Sequence, residues 1–380
     1  MPELSLANCR VVTPEAVLPG GVVLRDGVIA EIADGATSAA AVDCEGDYLI
    51  PGLIELHTDH LEAHFKPRPK VFWPVEAAVV AHDAQIAASG ITTVFDALRV
   101  GTTRDDDVSI GSNMRRLAEA IGRAKDAGVL RADHLLHLRC ELACEDTVTE
   151  TEAFLGDPNL RLISLMDHTP GQRQFTRLEK FKEYYSGKTG MSEAELEAFI
   201  TERRAAHDKL AAPSRRAVVE LARAHGIPLA SHDDATCAHV DEAAEDGVTI
   251  AEFPTTADAA ELSRRRGMHV LMGAPNVVRG GSHSGNISAQ VLAEAGLLDI
   301  LSSDYVPFSL LQAVFALPER VPGIDLPAAV RLVTRNPAVA TGLEDRGEIT
   351  VGKRADLVQV RVVEGLPVVR SVWQQGRRVV

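Results

Sequence analysis

A chain of 380 residues, 46% hydrophobic and 24% charged, can bury a barrel-sized core with a small accessory domain beside it. A formal net charge of −15 argues against general nucleic-acid binding, and no apolar run approaches the length of a membrane span. The chain start lacks a basic-then-apolar leader pattern, and five scattered cysteines (Cys9, Cys44, Cys140, Cys144 and Cys237) predict reduced thiols in a cytoplasmic protein.

In chain order, residues 1–48 read as short alternating strands separated by glycine turns, with Asp26-Gly27 marking a hairpin. Residues 346–380 read the same way, so the two ends are expected to meet in one small β-sandwich domain. Between them, over 49–345, eight strand-like runs alternate with helical patterns: LIELHTD, TTVFDA, HLLHLRCEL, LISLMDHT, IPLASHDD, VTIAEFPTT, HVLMGAPN and LLDILSSD. Eight such units predict a TIM-type (β/α)8 barrel. The stretch 171–215 is charged and helix-forming but too long for a plain crossover. It is expected to be a helical insertion after the fourth strand that closes over substrate.

Chemistry-bearing side chains fall at the carboxyl ends of these runs, where barrel active sites lie. His57 and Asp59 are two apart on the first strand and should share a side. Glu141 closes the third strand, His168 the fourth, His232 the fifth and Asp304 the eighth. One strand histidine alone is more often a core group than a ligand, but six such residues at one end point to metal-assisted hydrolysis. The donors suit a divalent metal, zinc first with manganese or magnesium as alternatives, held as one ion or two. Asp304 is the candidate catalytic group that orients a water or takes its proton.

Phosphate binding has its own candidates. Arg279, Gly280, Gly281, Ser282 and His283 follow the seventh strand, where barrels often seat phosphate, although an ordinary flexible loop reads the same way. Arg173 and Lys182 follow the fourth strand and offer further cations, against the blander reading of a solvated charged helix. Lys66, Arg68 and Lys70 either line the entrance or lie on plain surface. Gly347–Lys353 resembles half a phosphate loop, but Arg354 stands where serine or threonine is needed. Ser231-His232-Asp233 is not read as a triad, since neighbours on a strand face opposite ways. His60, His64 and His82 read as supporting or core histidines.

The run PGLIELHTDH resembles the first metal-binding strand of the amidohydrolase superfamily, and GEITVGKRADLV its returning carboxyl-terminal β segment. More specifically, HTDHLEAHFKPRP, HLRCEL, SLMDHTPGQRQF, ASHDDATCAHV, AEFPTT, LMGAPNVVRGGSHSGN and ILSSDY together resemble the PhnM family of diphosphatases. The resemblance implies hydrolysis of α-D-ribose 1-methylphosphonate 5-triphosphate to the 5-phosphate and pyrophosphate, in the carbon–phosphorus lyase pathway. It also implies that His57, Asp59, Glu141, His168, His232 and Asp304 are the metal and catalytic positions. The chain departs from the superfamily pattern twice. His57-Thr58-Asp59 replaces the usual His-x-His, and Glu252-Phe253-Pro254 ends the sixth strand where a histidine is common. Glu252 or His168 would then complete the second metal site. The expected partner is an anionic phosphorylated small molecule, with neither nucleic acid nor membrane, and a homo-oligomer stays open. The rivals are a cyclic amidase or deaminase on the same fold, and a barrel that has lost its chemistry. The basic and Gly-Ser loop residues separate the first rival, since a neutral ring needs no phosphate cradle.

Overall fold

The computed structural model describes residues 3–33, 41–102, 110–173, 178–179, 181–182, 191–282 and 285–380. Five strands open the chain: β1 (Leu4–Val12), β2 (Val17–Arg25), β3 (Val28–Ala33), β4 (Val42–Asp43) and β5 (Tyr48–Pro51). Asp26 and Gly27 join β2 to β3 with φ of 50° and 82°, both in the left-handed region that a tight hairpin needs.

Eight further strands follow: β6 (Leu53–Thr58), β7 (Ile91–Val100), β8 (Asp133–Glu141), β9 (Leu160–Met166), β10 (Leu229–His232), β11 (Ile250–Glu252), β12 (His269–Gly273) and β13 (Ile300–Ser302). They lie in sequence order, each parallel to the next, and coincide with the eight runs read from the sequence. The backbone of Asp304 sews the ring shut. Its N–H donates to His57 O at 3.1 Å, and its carbonyl accepts from Asp59 N at 3.3 Å and Thr58 Oγ1 at 2.9 Å. Ile54, Phe95, Leu135, Leu162, Ala230, Ile250, Leu271 and Ile300, one from each strand, meet in a single buried cluster. Such a set fills a barrel interior, so the ring is a packed core and not a pore.

The last strands, β14 (Leu357–Val363), β15 (Leu366–Gln374) and β16 (Arg377–Arg378), return to the start of the chain. The order is β16-β15-β14-β5-β1-β2-β3, with β4 on β1, around Leu6, Val22, Leu24, Ile29, Leu49, Leu357 and Trp373. The fold is therefore a TIM-type barrel with a small β-sandwich domain made from both termini. At their junction a Cβ on Gly52 would stand 2.1 Å from Thr92 Oγ1, so only glycine fits.

Between β9 and β10, residues 174–177, 180 and 183–190 of the expected insertion lie outside the described residues. A single helix, Glu193–His225, runs past the expected end of the insertion at 215 and serves also as the crossover into β10. Ser192 and Glu195 form a capping box at its start, Gly226 ends it at φ 64°, and Pro213 is carried inside it. Its first half packs Leu196 and Ile200 on Phe181; its second half packs Ala211, Val218, Val219 and Ala222 on the barrel. Among the described residues no helix is long and apolar enough to cross a membrane.

Candidate metal and active site

Glu252, the last residue of β11, is the hub. It is wholly buried, and three strands reach it directly. His57 Nδ1 from β6 lies 3.2 Å from Oε1, while His232 Nδ1 from β10 lies 3.2 Å from Oε2. Ser164 Oγ from β9 donates to Oε2 at 2.6 Å. His137 from β8 stands behind, with Nε2 2.5 Å from Ser164 Oγ and Nδ1 2.9 Å from Leu56 O. Burial alone would raise the Glu252 pKa, but the surrounding imidazoles hold it well below the usual carboxylate range. Burial lowers His232 to about 3 and His137 to about 4, so both rings are neutral near pH 7. Burial disfavours charge on His57 too, yet the Glu252 carboxylate outweighs it and raises that pKa. A neutral imidazole is the form that ligates a cation.

A second group adjoins the first through His232, whose other nitrogen, Nε2, lies 3.3 Å from Asp233 Oδ2. His168 Nε2 approaches the same oxygen at 4.0 Å. Glu141 orients the His168 ring by taking Nδ1 at 2.6 Å and the backbone N–H at 3.0 Å, and is itself 3.5 Å from Arg203 NH2. His168, the Arg99 and Arg203 guanidiniums and the hydrogen bond outweigh burial and keep Glu141 ionised. Asp233 is the opposite case. Burial pushes it up to about 7, with His168 opposing and Asp304 adding to the rise, and its Oδ2 has no hydrogen-bond partner. His168, His232 and Asp233 each present one ligand atom, all within 4.8 Å of one another, as do His57, His137 and Glu252. Three non-glycine residues at the strand ends, Asp233, Phe253 and Asp304, hold φ of 56°, 53° and 55°. Strain of this kind gathers where side chains must be aimed.

Of the sequence candidates, His57, His168 and His232 meet here. Glu141 acts on this group through His168, and the charge of Asp304 reaches both His57 and Asp233. Asp59 joins neither group. β6 ends at Thr58, Asp59 turns to φ −96° and ψ 10° to begin the helix His60–Phe65, and its carboxylate pairs with Arg139 NH1 at 3.4 Å. The two-residue alternation that put it beside His57 holds only while the backbone stays extended. It belongs to none of the converging groups found among the described residues. Glu252 instead takes the central place.

The phosphate candidates are dispersed. Arg173 is buried with its guanidinium on Asp234 and on Glu242 Oε2 at 3.0 Å, and Lys182 pairs with Glu197. Arg279 is exposed at the end of the short helix Ala274–Arg279, which Gly280 closes at φ 82°; Gly281 and Ser282 continue half-buried. His283 lies outside the described residues. Sequence reasoning passed over His137, Ser164 and Asp233. Asp233 was set aside because strand neighbours diverge, but β10 stops at His232 and the left-handed turn swings its carboxylate back to that ring. The consecutive His232-Asp233-Asp234 at a strand end was the signal available.

Residues 71–380 match the amidohydrolase family. A relative from Escherichia coli (strain K12), α-D-ribose 1-methylphosphonate 5-triphosphate diphosphatase, is 49% identical over 374 residues, covering 98% of this chain and 99% of that protein. An imidazolonepropionase from Deinococcus deserti is 36% identical over 100 residues, 23% of this chain and 25% of that one. Among solved structures, N-acetyl-D-glucosamine-6-phosphate deacetylase from Mycobacterium smegmatis superposes with a TM-score of 0.64 at 16% identity, covering 100% of both chains. The 5-methylcytosine deaminase from Klebsiella pneumoniae reaches 0.66 at 15% identity, covering 99% of this chain and 97% of that one. Those two share the fold alone. By the length of the family match and by the full-length relative, this chain belongs to the amidohydrolase family.

Proposed function

We propose that the chain hydrolyses α-D-ribose 1-methylphosphonate 5-triphosphate to the 5-phosphate and pyrophosphate, in phosphonate catabolism in the cytoplasm. The observation that carries this is the near-complete coverage of the Escherichia coli diphosphatase at 49% identity, with the converging histidine and carboxylate groups at the strand ends. A divalent cation fits the second group. The buried Asp233 Oδ2 lacks a hydrogen-bond partner and faces two imidazole nitrogens, a nitrogen–oxygen set that suits zinc and also admits manganese. His168, His232 and Asp233 would hold it, with His57 and Glu252 next in line. When bound, it supplies Lewis acidity and makes water a better nucleophile near neutral pH.

The chain's own residues do the rest. Glu141 fixes the His168 ring so that Nε2 is left facing Asp233, and Glu252 fixes His57 and His232 in the same manner. Asp304, on the last barrel strand's end, orients the attacking water and accepts its proton. Charge that develops on the phosphoryl oxygens calls for aimed donors. Arg139 is suited to this, because its buried Nε has no hydrogen-bond partner while NH1 is held by Asp59. Arg279, Gly280, Gly281 and Ser282 are the further phosphate donors; Arg173 and Lys182 would first have to exchange their carboxylate partners. The test offers the ribose triphosphate, a nucleoside triphosphate and a dihydroorotate-type amide to the metal-loaded chain. Pyrophosphate from the ribose triphosphate, reduced about 10³-fold in Asp304→Asn, is the expected result. Ring opening of the amide without pyrophosphate would overturn the assignment and favour the amidase reading.

A further inference from the structure

A second, separate group of histidines lies beneath the helix Val75–Ala88. His82, on that helix, is fully buried, and its Nε2 lies 2.8 Å from Asp96 Oδ1 of β7. The other oxygen of Asp96 takes His134 Nδ1 of β8 at 2.7 Å, and His134 Nε2 lies 3.3 Å from Asp83 Oδ1. Asp83 in turn accepts Arg131 N at 2.7 Å, Ala132 N at 3.0 Å and Arg131 NH1 at 2.9 Å. Since an ionised carboxylate only accepts, the proton shared with Asp96 sits on His82 Nε2, and Nδ1 carries a lone pair. That Nδ1 is buried and has no hydrogen-bond partner. Most buried polar side-chain atoms find a partner, so this nitrogen calls for a reason.

Two more imidazoles surround that ring. His60 and His64 are four apart on the helix His60–Phe65, a spacing that places both on one face. Their centroids are 5.2 Å apart, and they lie 6.2 and 5.8 Å from the centroid of His82. Three imidazoles on one tetrahedral ion have centroids roughly 5 Å apart, given zinc–nitrogen bonds of about 2 Å. His64 Nε2 is 3.0 Å from Gln85 Oε1, which leaves its Nδ1 for a ligand, and both His60 and His64 are half-buried, open to entry from solvent.

We propose that His60, His64 and His82 form an additional site for a zinc-class divalent cation, distinct from the His168–His232–Asp233 group and independent of the substrate assigned above. A pair of histidines at i and i+4 is a known clip for such an ion. The third histidine is backed by a carboxylate, the arrangement that fixes ring orientation and strengthens a ligand. The nitrogens of the three rings do not converge in the structure as those of the His168–His232–Asp233 group do, so the site requires His60 and His64 to rotate toward His82.

The test is a Co²⁺ titration of the chelator-treated full-length chain, followed by visible absorption and by metal content after gel filtration. Wild type is expected to bind one more equivalent than His60→Ala/His64→Ala, with circular dichroism unchanged. His232→Ala/Asp233→Asn should lose a different equivalent and keep this one. Equal cobalt content in wild type and the folded His60→Ala/His64→Ala variant overturns the proposal. If that variant does not fold, His60→Gln serves: a weakening of the equivalent by tenfold or more supports the site, and unchanged affinity refutes it.

Discussion

Two histidine–carboxylate clusters begin three residues apart on β8, at His137 and His134, and they are built for different ends. The cluster reached by His137 centres on Glu252 and runs through His232 to an oxygen, Asp233 Oδ2, that nothing in the chain satisfies. The cluster reached by His134 alternates carboxylate and imidazole from Asp96 to Asp83, and Asp83 is met by two backbone N–H groups and a guanidinium. Residue class does not separate them; both are largely buried sets of imidazoles and carboxylates. What separates them is which atoms are left wanting a partner. The first leaves an acceptor facing the carboxyl end of the barrel, and the second leaves only His82 Nδ1. Unsatisfied buried polar atoms are costly, so those that face further ligand atoms are the places where a ligand would supply the missing partner.

The widest separation between the clusters should come from Asp304→Asn. The backbone of Asp304, not its carboxylate, closes the barrel, and asparagine tolerates the φ of 55° that the position demands. Turnover is expected to fall about 10³-fold, within the range for loss of a general base, while the melting temperature stays within a few degrees. Pyrophosphate release and a thermal melt on the same sample check this; a loss of activity no greater than the loss of folded protein would refute it. Asp96→Asn reverses the pattern. It leaves His134 facing one carboxylate instead of two and should cost roughly 3 kcal/mol of stability, as broken buried ion pairs do. Turnover per folded molecule should change by less than about threefold, because the Asp96 carboxylate is taken up by His82 and His134 and not by the His168–His232–Asp233 group. A collapse of kcat with stability intact would merge the two clusters into one machine.

Acid–base titration sharpens the contrast further. Burial opposes charge on His134, but Asp96 and Asp83 outweigh it and raise its pKa from 6.5 to about 10. The folded chain therefore holds this proton more tightly than the unfolded one. Its contribution to stability is full below pH 6.5 and is lost as pH rises through about 10. A melting temperature that declines across that window in wild type, and less steeply in Asp96→Asn, is the expected result. Parallel curves would mean that His134 is not the group responsible. The first cluster has no such decline to show from His137 or His232, whose pKa values are lowered to about 4 and about 3.

The barrel was legible because its eight strands are apolar runs, five of which carry a chemistry-bearing residue at the carboxyl end, and the ring order follows chain order. The two-ended β domain was legible from similar strand-and-turn patterns at both ends. What was not legible depended on where strands stop. Asp59 follows β6 by one residue and so faces Arg139, and Asp233 follows β10 by one residue and so returns to His232. One residue at a strand end reverses a side chain, and strand ends are the least certain part of any sequence pattern. The cluster under the helix Val75–Ala88 was invisible for another reason. His82, Asp96 and His134 come from three elements, and each alone reads as an ordinary core polar residue. Arg173 carried a misleading signal: a cation beside a strand end suggests phosphate, but Asp234 and Glu242 already occupy it.

The smallest expected effect tests what holds the second cluster together. Arg131 reaches Asp83 with NH1 at 2.9 Å, but 40% of its side chain is exposed, so solvent screens that contact. The N–H groups of Arg131 and Ala132 remain as donors whatever side chain stands at 131. Arg131→Ala should therefore cost no more than about 1 kcal/mol, the upper range for an exposed ion pair, and leave the titration of His134 near pH 10 nearly unmoved. Denaturant unfolding and the pH dependence of melting measure both. A loss near that of Asp96→Asn would mean that the guanidinium, and not the backbone amides, anchors the chain of carboxylates and imidazoles. The cluster would then be an ion-pair network open to salt, instead of one held from within by the turn that precedes β8.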